Sequence, residues 1–162
     1  NREVVEDGLA GVRACLAAGL VPVLHGDAVL DTQLGCTILS GDTIVRRLAE
    51  ALSPGRVVFL TNVTGVYDRP PEQQGARLLR AIAVRPDGSW QSEGVSTNVS
   101  ETDATGGMAK KVEEAAVVAA TGVDVVIAQA GTDDARLACL EQPRTLLQSI
   151  GWQGTVVHCH GS

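Results

Sequence analysis

The sequence has few of the residues that most often anchor a protein core. Only four of its 162 residues are aromatic, namely Phe59, Tyr67, Trp90 and Trp152. Hydrophobic residues nonetheless make up 44% of the chain. The core must therefore be built mainly from Val, Leu, Ile and Ala. A chain of this length and apolar content is expected to form one globular domain over residues 1–162.

Positive charge is also scarce. The formal net charge is −6, and the adjacent pair Lys110 and Lys111 contains the only lysines of the chain. No segment concentrates basic residues as a nucleic-acid-binding surface does, so we expect no nucleic-acid partner. A bound anion needs local positive charge, and the lysine pair is therefore conspicuous.

Signatures of several other protein classes are missing. The four cysteines form no C-x-x-C pair, which gives no indication of a zinc site or of thioredoxin-type chemistry. We expect reduced thiols in a cytoplasmic protein and no protein-held metal. No apolar run has transmembrane length, so no membrane partner is expected. Neither GxxxxGK[ST] nor GxGxxG occurs, which argues against a P-loop or Rossmann dinucleotide-binding protein.

Hydrophobic patterning predicts alternating helices and strands. The predicted helices are Val4–Ala18, 41–52, about 107–121 and 132–140. The predicted strands are 21–25, 36–40, 56–61, 124–129 and 154–159, with a turn or hairpin between the first two, a strand ending near 78–84 and a polar surface segment over 85–104. The alternation predicts an α/β fold with helices on both faces of the sheet. The continuous apolar run 56–61 is typical of a strand buried on both faces of a parallel sheet.

Three polar, glycine-containing stretches follow predicted strands or begin predicted helices. They are "SGD" (40–42), "TNVTGVYDRPPE" (61–72) and "TGGMAKK" (105–111). In α/β sheets of this kind, ligands bind beyond the carboxyl ends of the strands. The coincidence of the three stretches is more informative than any one of them.

The stretch "TGGMAKK" has the composition of an anion site. Gly106 and Gly107 allow the backbone to approach a ligand closely, and the helix that follows offers unpaired N–H groups and the positive end of its dipole. Lys110 has Glu113 and Glu114 at helical spacing, whereas Lys111 has Glu114 at i+3 but Ala115 at i+4 and is slightly freer to turn toward the loop. An ordinary helix N-terminus remains the alternative interpretation.

The other two stretches also admit two interpretations. "SGD" fits a capped helix start, or a loop in which Gly41 presents its backbone to a substrate phosphate while Asp42 pairs with a catalytic lysine. Asn62 and Thr64 are ordinary turn formers, or they line a nucleotide pocket whose base and ribose end is shaped by Tyr67 and the Pro-Pro loop.

Taken together, the stretches "HGDAVLD", "ILSGD", "FLTNVTGVYDRPP" and "TGGMAKK" resemble, in this order, the amino acid kinase superfamily. Within it they are most similar to the isopentenyl phosphate kinase family of plants and algae. The matching segments span nearly the whole chain. The resemblance implies a three-layer αβα sandwich with a mainly parallel open sheet. It also implies that residues 1–162 are the C-terminal, mostly ATP-binding lobe, with the N-terminal half absent, because the family's opening glycine-rich loop and substrate-binding histidine have no counterpart here.

The resemblance further implies a role for each matching residue. Gly41 would contact the substrate phosphate, Asp42 would orient the catalytic lysines, and Lys111 would meet the phosphates of ATP, so that Asp42 and Lys111 are catalytic. The implied ATP-binding residues are Asn62, Tyr67, Asp68, Arg69, Pro70, Pro71, Glu72, Gly107 and Lys111. The implied reaction transfers the γ-phosphoryl group of ATP, accompanied by Mg²⁺, to isopentenyl phosphate. Its product is isopentenyl diphosphate, used in isoprenoid biosynthesis.

Two alternatives stay open at this point. One is another small-molecule kinase of the same superfamily, with a carboxylate, carbamate, nucleoside monophosphate or phosphonate acceptor, since the absent half largely sets acceptor specificity. The other is a non-catalytic nucleotide-binding module. The resemblance also implies a homodimer of the full-length protein. We expect the 162-residue chain alone to be inactive, because the part that anchors the substrate phosphate is missing.

Overall fold

The computed structural model describes residues 4–92 and 106–159. It divides into two compact units, Asn1–Leu52 and Ser53–Ser162. Whether residues 1–162 form one domain is not decided by this division, and the expectation of a single domain stays a prediction. None of the helices described is long and apolar enough to cross a membrane.

The first unit contains two helices and a hairpin. Its elements are α1 (Leu9–Ala17), β1 (Asp27–Asp31), β2 (Gly35–Leu39) and α2 (Gly41–Leu52). The strands pair antiparallel, and β1 lies within the stretch 26–35 that was predicted as a turn or hairpin. Asp31 closes the turn, because its carboxylate accepts hydrogen bonds from the backbone N–H groups of Leu34 and Gln33 at 2.7 and 2.8 Å. These bonds hold the pKa of Asp31 below its ordinary value.

Two predictions for this unit are wrong. Residues 21–25 pair with no strand of the described chain, and Val21 and Val23 are 86% and 91% exposed. Pro22 lies within this run and cannot donate to a strand ladder, which disfavours a central strand. The first helix begins at Leu9 rather than Val4, since the side chain of Asp7 accepts a hydrogen bond from the N–H of Leu9.

The second unit is built on a five-stranded sheet. Its elements are β3 (Val57–Thr61), β4 (Ala81–Val84), β5 (Trp90–Ser92), α3 (Gly106–Ala120), β6 (Val125–Gln129), α4 (Asp133–Leu140), α5 (Pro143–Gln148) and β7 (Thr155–Cys159). The strand order is β3-β6-β7-β4-β5. The parallel pairings β3/β6 and β4/β7 join five and four positions, whereas the antiparallel pairings β6/β7 and β4/β5 join three each. The predicted α/β class with a mainly parallel sheet is confirmed.

Helices cover both faces of this sheet. On one face, Val126 and Val156 form a buried cluster with residues of α4 and α5, and Val58 packs against it. Side chains alternate along a strand, so the neighbouring Phe59 points to the opposite face. There its ring meets Lys111 of α3. This arrangement confirms the three-layer αβα sandwich within the second unit.

The strand β3 differs from its prediction in burial. In the described part of the chain it pairs with β6 alone and lies at one edge of the sheet. Leu60 is therefore 51% exposed instead of buried. An apolar run by itself does not distinguish an edge strand from a central one.

Two elements were not predicted. The segment 85–104 was expected to be a polar surface segment, but Trp90–Ser92 pairs with β4 through a tight turn in which Gly88 has a φ of 81°. Residues 93–105 of that segment lie outside the described residues. The short helix α5 also went unrecognised, although Pro143 stands at its first turn, a favoured position for proline.

Two arginines donate to helix C-termini beneath this sheet. Arg56 donates to the carbonyls of Ala138 and Glu141 at the end of α4. Arg80 Nη2 donates to the carbonyls of Leu146 and Ser149 at the end of α5, at 3.1 and 3.2 Å. The last carbonyls of a helix have no partner within the helix and carry partial negative charge. Arg56 and Arg80 stand directly before β3 and β4. Their guanidinium groups therefore connect α4 to the start of β3 and α5 to the start of β4.

We predict that Arg80→Met lowers the free energy of unfolding by about 1–3 kcal/mol, because half-buried carbonyls lose charged donors. The guanidinium also lies 5.8 Å from the centroid of the Trp152 ring, a contact that methionine cannot replace. Urea unfolding measures the effect. The control is Arg136→Met, which removes an arginine whose side chain is 64% exposed and should change stability by less than about 0.5 kcal/mol. Equal effects of the two substitutions would contradict the capping role of Arg80.

Candidate functional site

The carboxyl ends of β3 and β6 lie side by side. Thr61 and Gln129 are paired across the two parallel strands, and the N–H of Ala130 donates to the carbonyl of Thr61 at 2.8 Å. Asn62 follows directly, and its carbonyl accepts a hydrogen bond from Gln129 Nε2 at 3.4 Å. Side chains and loops beyond both strands therefore share this edge of the sheet, where ligands bind in α/β folds.

The loop that leaves β3 is closed at its base. The N–H of Leu79 donates to the carbonyl of Val66 at 2.8 Å, and Tyr67 pairs antiparallel with Leu78. One step further out, the N–H of Asp68 donates to the carbonyl of Arg77 at 3.0 Å. Residues 67–78 thus form one closed excursion with the Pro-Pro pair near its tip, and we call it the proline loop.

Asp68 strengthens the base of the proline loop. Its carboxylate accepts a hydrogen bond from the N–H of Arg77 at 2.9 Å and pairs with the Arg69 guanidinium at 3.3 Å. The backbone hydrogen bond from Arg77, with Arg69 as a further contributor, holds the pKa of Asp68 below its ordinary value. Its side chain is 10% exposed. In this geometry the carboxylate of Asp68 shapes the loop.

Lys111 is held against β3. It lies in the second turn of α3, and its ammonium nitrogen is 4.6 Å from the centroid of the Phe59 ring. A cation is attracted to the face of an aromatic ring at this distance. Phe59 stands two positions before the end of β3. The contact therefore brings positive charge to the sheet close to the edge shared by β3 and β6.

Two helices begin near this edge, and their charges differ. α4 starts just after β6; the Thr132 hydroxyl accepts the N–H of Ala135 at 3.1 Å, and Asp133 and Asp134 occupy its first turn. α3 ends four residues before β6 and packs on the sheet, so its first turn points back toward the same edge. That turn contains no acidic residue. An anion at this edge is therefore favoured at α3 and disfavoured at α4.

The predicted ATP-binding residues all belong to the second unit. Asn62 lies at the end of β3 and is exposed, and the run 67–72 lies on the proline loop. Gly107 lies in the first turn of α3, one turn before Lys111. Thr105 and the loop before α3 lie outside the described residues.

The predicted substrate-side residues lie in the first unit. Gly41 and Asp42 are the first two residues of α2. The hydroxyl of Ser40 accepts the N–H of Thr43 at 3.3 Å and caps the helix. Asp42 is half-buried in the first turn. Its pairing with a catalytic lysine stays a prediction.

Sequence reasoning missed two residues at this edge. Gln129 donates to the carbonyl of Asn62, and its side-chain oxygen accepts a hydrogen bond from the hydroxyl of Thr64 at 3.4 Å. The sequence does mark this residue, because Gln129 is the polar last residue of an otherwise apolar strand. Thr155 is entirely buried beneath the proline loop. Nothing in the local sequence distinguishes it from an ordinary strand threonine.

A sequence model described as "Amino acid kinase family" matches residues 1–129. The chain belongs to the amino acid kinase family. An Arabidopsis thaliana protein named isopentenyl phosphate kinase is 47% identical to it, over 97% of this chain and 50% of the relative. A protein of the same name from Methanothermobacter thermautotrophicus is 38% identical, over 74% of this chain and 44% of the relative.

Solved structures agree with this assignment. The fold superposes with a TM-score of 0.66 on a structure described as "X-ray structures of isopentenyl phosphate kinase". The two sequences are 29% identical, and the match covers 95% of this chain and 52% of the other. This amino acid kinase chain therefore spans about half the length of the proteins that it resembles.

We predict that Lys111→Ala weakens ATP binding by about 1–3 kcal/mol, because the phosphates lose a charged hydrogen-bond donor. Isothermal titration calorimetry on the chain measures the dissociation constant. Lys110→Ala is the matched control: it removes the same charge from the neighbouring position and should leave the affinity within a factor of two. Unchanged affinity in the Lys111 variant would remove this residue from the site.

The lowered pKa of Asp68 predicts a pH-dependent contribution to stability. A carboxylate with a depressed pKa stabilises the fold above its unfolded pKa of about 3.9, and this contribution is lost as the pH falls through the folded pKa. The difference in unfolding free energy between the native protein and Asp68→Asn should therefore be constant from pH 7 to about 5 and shrink below about 4. Urea unfolding across this range measures it. Asp133→Asn, at a carboxylate whose side chain is 93% exposed, serves as the control, and an identical pH profile for the two variants would contradict the loop-closing role.

Proposed function

We propose that this chain supplies the ATP-binding part of a kinase that phosphorylates isopentenyl phosphate to isopentenyl diphosphate. The observation that carries the proposal is the position of Lys111, held over Phe59 on the helix whose first turn carries no acid. Membership of the amino acid kinase family supports phosphotransferase chemistry with ATP as co-substrate. The relatives named isopentenyl phosphate kinase support the acceptor.

The arrangement suits the triphosphate of ATP. The ammonium of Lys111 supplies a positive charge, and the open N–H groups at the start of α3 supply further donors. The acidic first turn of α4 leaves α3 as the favoured terminus for the phosphates. In this proposal the proline loop and Asn62 line the base and ribose end of the nucleotide.

Magnesium fits the site as a partner of the nucleotide. No group of three or more His, Cys, Asp or Glu side chains able to hold a metal occurs within residues 4–92 and 106–159. Mg²⁺ keeps several of its waters and is often bound through substrate phosphates with only one or two carboxylates. When bound with ATP, it would neutralise part of the negative charge of the phosphates.

The roles proposed for the protein are positioning and charge neutralisation. Phosphoryl transfer needs little covalent help from the enzyme, because its transition state is stabilised mainly by electrostatics and alignment. Lys111 would hold the phosphates in place and offset the negative charge that develops on transfer. Gly41 would present its N–H to the phosphate of the acceptor, and Asp42 would keep the catalytic lysines oriented.

The cytoplasmic location expected from the sequence is part of the same proposal. Cys15, Cys36, Cys139 and Cys159 form no disulfide within the described residues, which suits the reducing cytoplasm. A homodimer of the full-length protein remains a prediction. The alternatives are a kinase with a different acceptor class and a non-catalytic nucleotide-binding module, and the names of the Arabidopsis and Methanothermobacter relatives do not favour them.

Kinase assays on the complete polypeptide that contains this sequence test the proposal. We expect ADP release that depends on isopentenyl phosphate, and product with the mass of isopentenyl diphosphate. Lys111→Ala should reduce kcat/KM by about 10²–10³-fold, as expected on losing one donor to a developing charge, whereas Lys110→Ala should change it less than about threefold. Phosphorylation of a carboxylate, carbamate, nucleoside monophosphate or phosphonate but not of isopentenyl phosphate would contradict the proposed acceptor. ATP binding with no acceptor turned over would favour the non-catalytic module.

A further inference from the structure

A buried hydroxyl lies at the base of the proline loop. Thr155, the first residue of β7, has no exposed surface. Its Oγ1 accepts a hydrogen bond from the N–H of Val66 at 2.9 Å and donates one to the carbonyl of Leu79 at 2.7 Å. Both partners are backbone groups that flank the proline loop, one at each end.

The hydroxyl replaces one hydrogen bond of a backbone pair. Two residues that face each other in an antiparallel ladder exchange two N–H to carbonyl bonds. Val66 and Leu79 make one of them directly, from the N–H of Leu79 to the carbonyl of Val66 at 2.8 Å. The reciprocal bond runs through Thr155 Oγ1. The side chain of β7 is thus inserted between the two ends of the loop and bonds to both.

The space around the hydroxyl admits no larger neighbour. A Cβ atom at Gly65 would lie 2.7 Å from Thr155 Oγ1, 3.0 Å from Leu78 Cδ1 and 3.2 Å from the carbonyl carbon of Gly154. Glycine at this position lets the hydroxyl reach Val66. Gly65 and Thr155 therefore pack directly against each other. The hydrogen bond that this packing permits joins Val66 and Thr155, which are 89 positions apart in the sequence.

We infer that Thr155 is a positioning residue for the nucleotide: its hydroxyl fixes both ends of the proline loop to β7 and so sets the shape of the wall against which ATP binds. This inference rests on the proposed function. Loss of the hydroxyl leaves the N–H of Val66 and the carbonyl of Leu79 buried without this partner. Burying an unsatisfied backbone group costs free energy, so the backbone is expected to rearrange until both groups form hydrogen bonds with water. The loop then samples conformations that do not fit the nucleotide.

Conservative substitutions at Thr155 test this inference by calorimetry. Thr155→Val keeps the shape but removes both hydrogen bonds, and it should weaken ATP binding at least fivefold. Thr155→Ser keeps the hydroxyl and should remain within twofold of the native affinity. Val156→Ala, on the same strand but facing α4 and α5, should lower the melting temperature while leaving ATP affinity within twofold at a temperature where the protein is folded.

The outcomes separate this inference from the proposed function. Absence of ATP binding by the native protein would overturn the proposed function. Native binding with unchanged affinity in Thr155→Val would overturn only the inference, and so would equal weakening in Val156→Ala, because affinity would then merely follow stability. If Thr155→Val does not fold, hydrogen exchange of the Val66 amide in the native protein tests the inference instead. The Val66 amide should exchange as slowly as those of β7, and exchange at the rate of an exposed loop would overturn the inference.

Discussion

The contact between the Lys111 ammonium and the Phe59 ring is the interaction on which the candidate site depends. The sequence contains two lysines and four aromatic residues, and one of each meets at 4.6 Å near the end of an edge strand. A ring face attracts a cation without neutralising it as a carboxylate would. The contact therefore holds one of the few positive charges of the second unit against the sheet, in a chain whose net charge is −6.

The helices, the sheet and the proline loop around Lys111 are held together by buried contacts and hydrogen bonds. Arg56 and Arg80 bond to the ends of α4 and α5. The sheet between the helix layers is almost entirely aliphatic, and it is buried along the first four residues of β6 and the first three of β7. On the ligand side, hydrogen bonds close the proline loop at its base, from Asp68 and Arg77 inward to Val66 and Leu79. Stiffness on both sides of β3 means that little conformational entropy has to be lost when a nucleotide binds.

Sequence reasoning predicted the helices and strands that have a clear apolar period. Its preference for Lys111 over Lys110 stays a prediction. It failed where tertiary structure overrides local pattern. Residues 21–25 are apolar yet unpaired in the described chain, β3 is an edge strand despite its continuous apolar run, and α5 is too short to show a period. The roles of Gln129 and Thr155 depend on partners 65 or more positions away, which no local window contains. The roles assigned by resemblance to Gly41 and Asp42 stay predictions.

The most direct measurement of the central claim is a crystal structure of the chain with a non-hydrolysable ATP analogue. The account predicts phosphate oxygens about 3 Å from the ammonium nitrogen of Lys111, a normal hydrogen-bond distance, with the adenosine against the proline loop at the carboxyl ends of β3 and β6. Phosphates bound at the start of α4, or an analogue seated on the opposite face of the sheet, would contradict it.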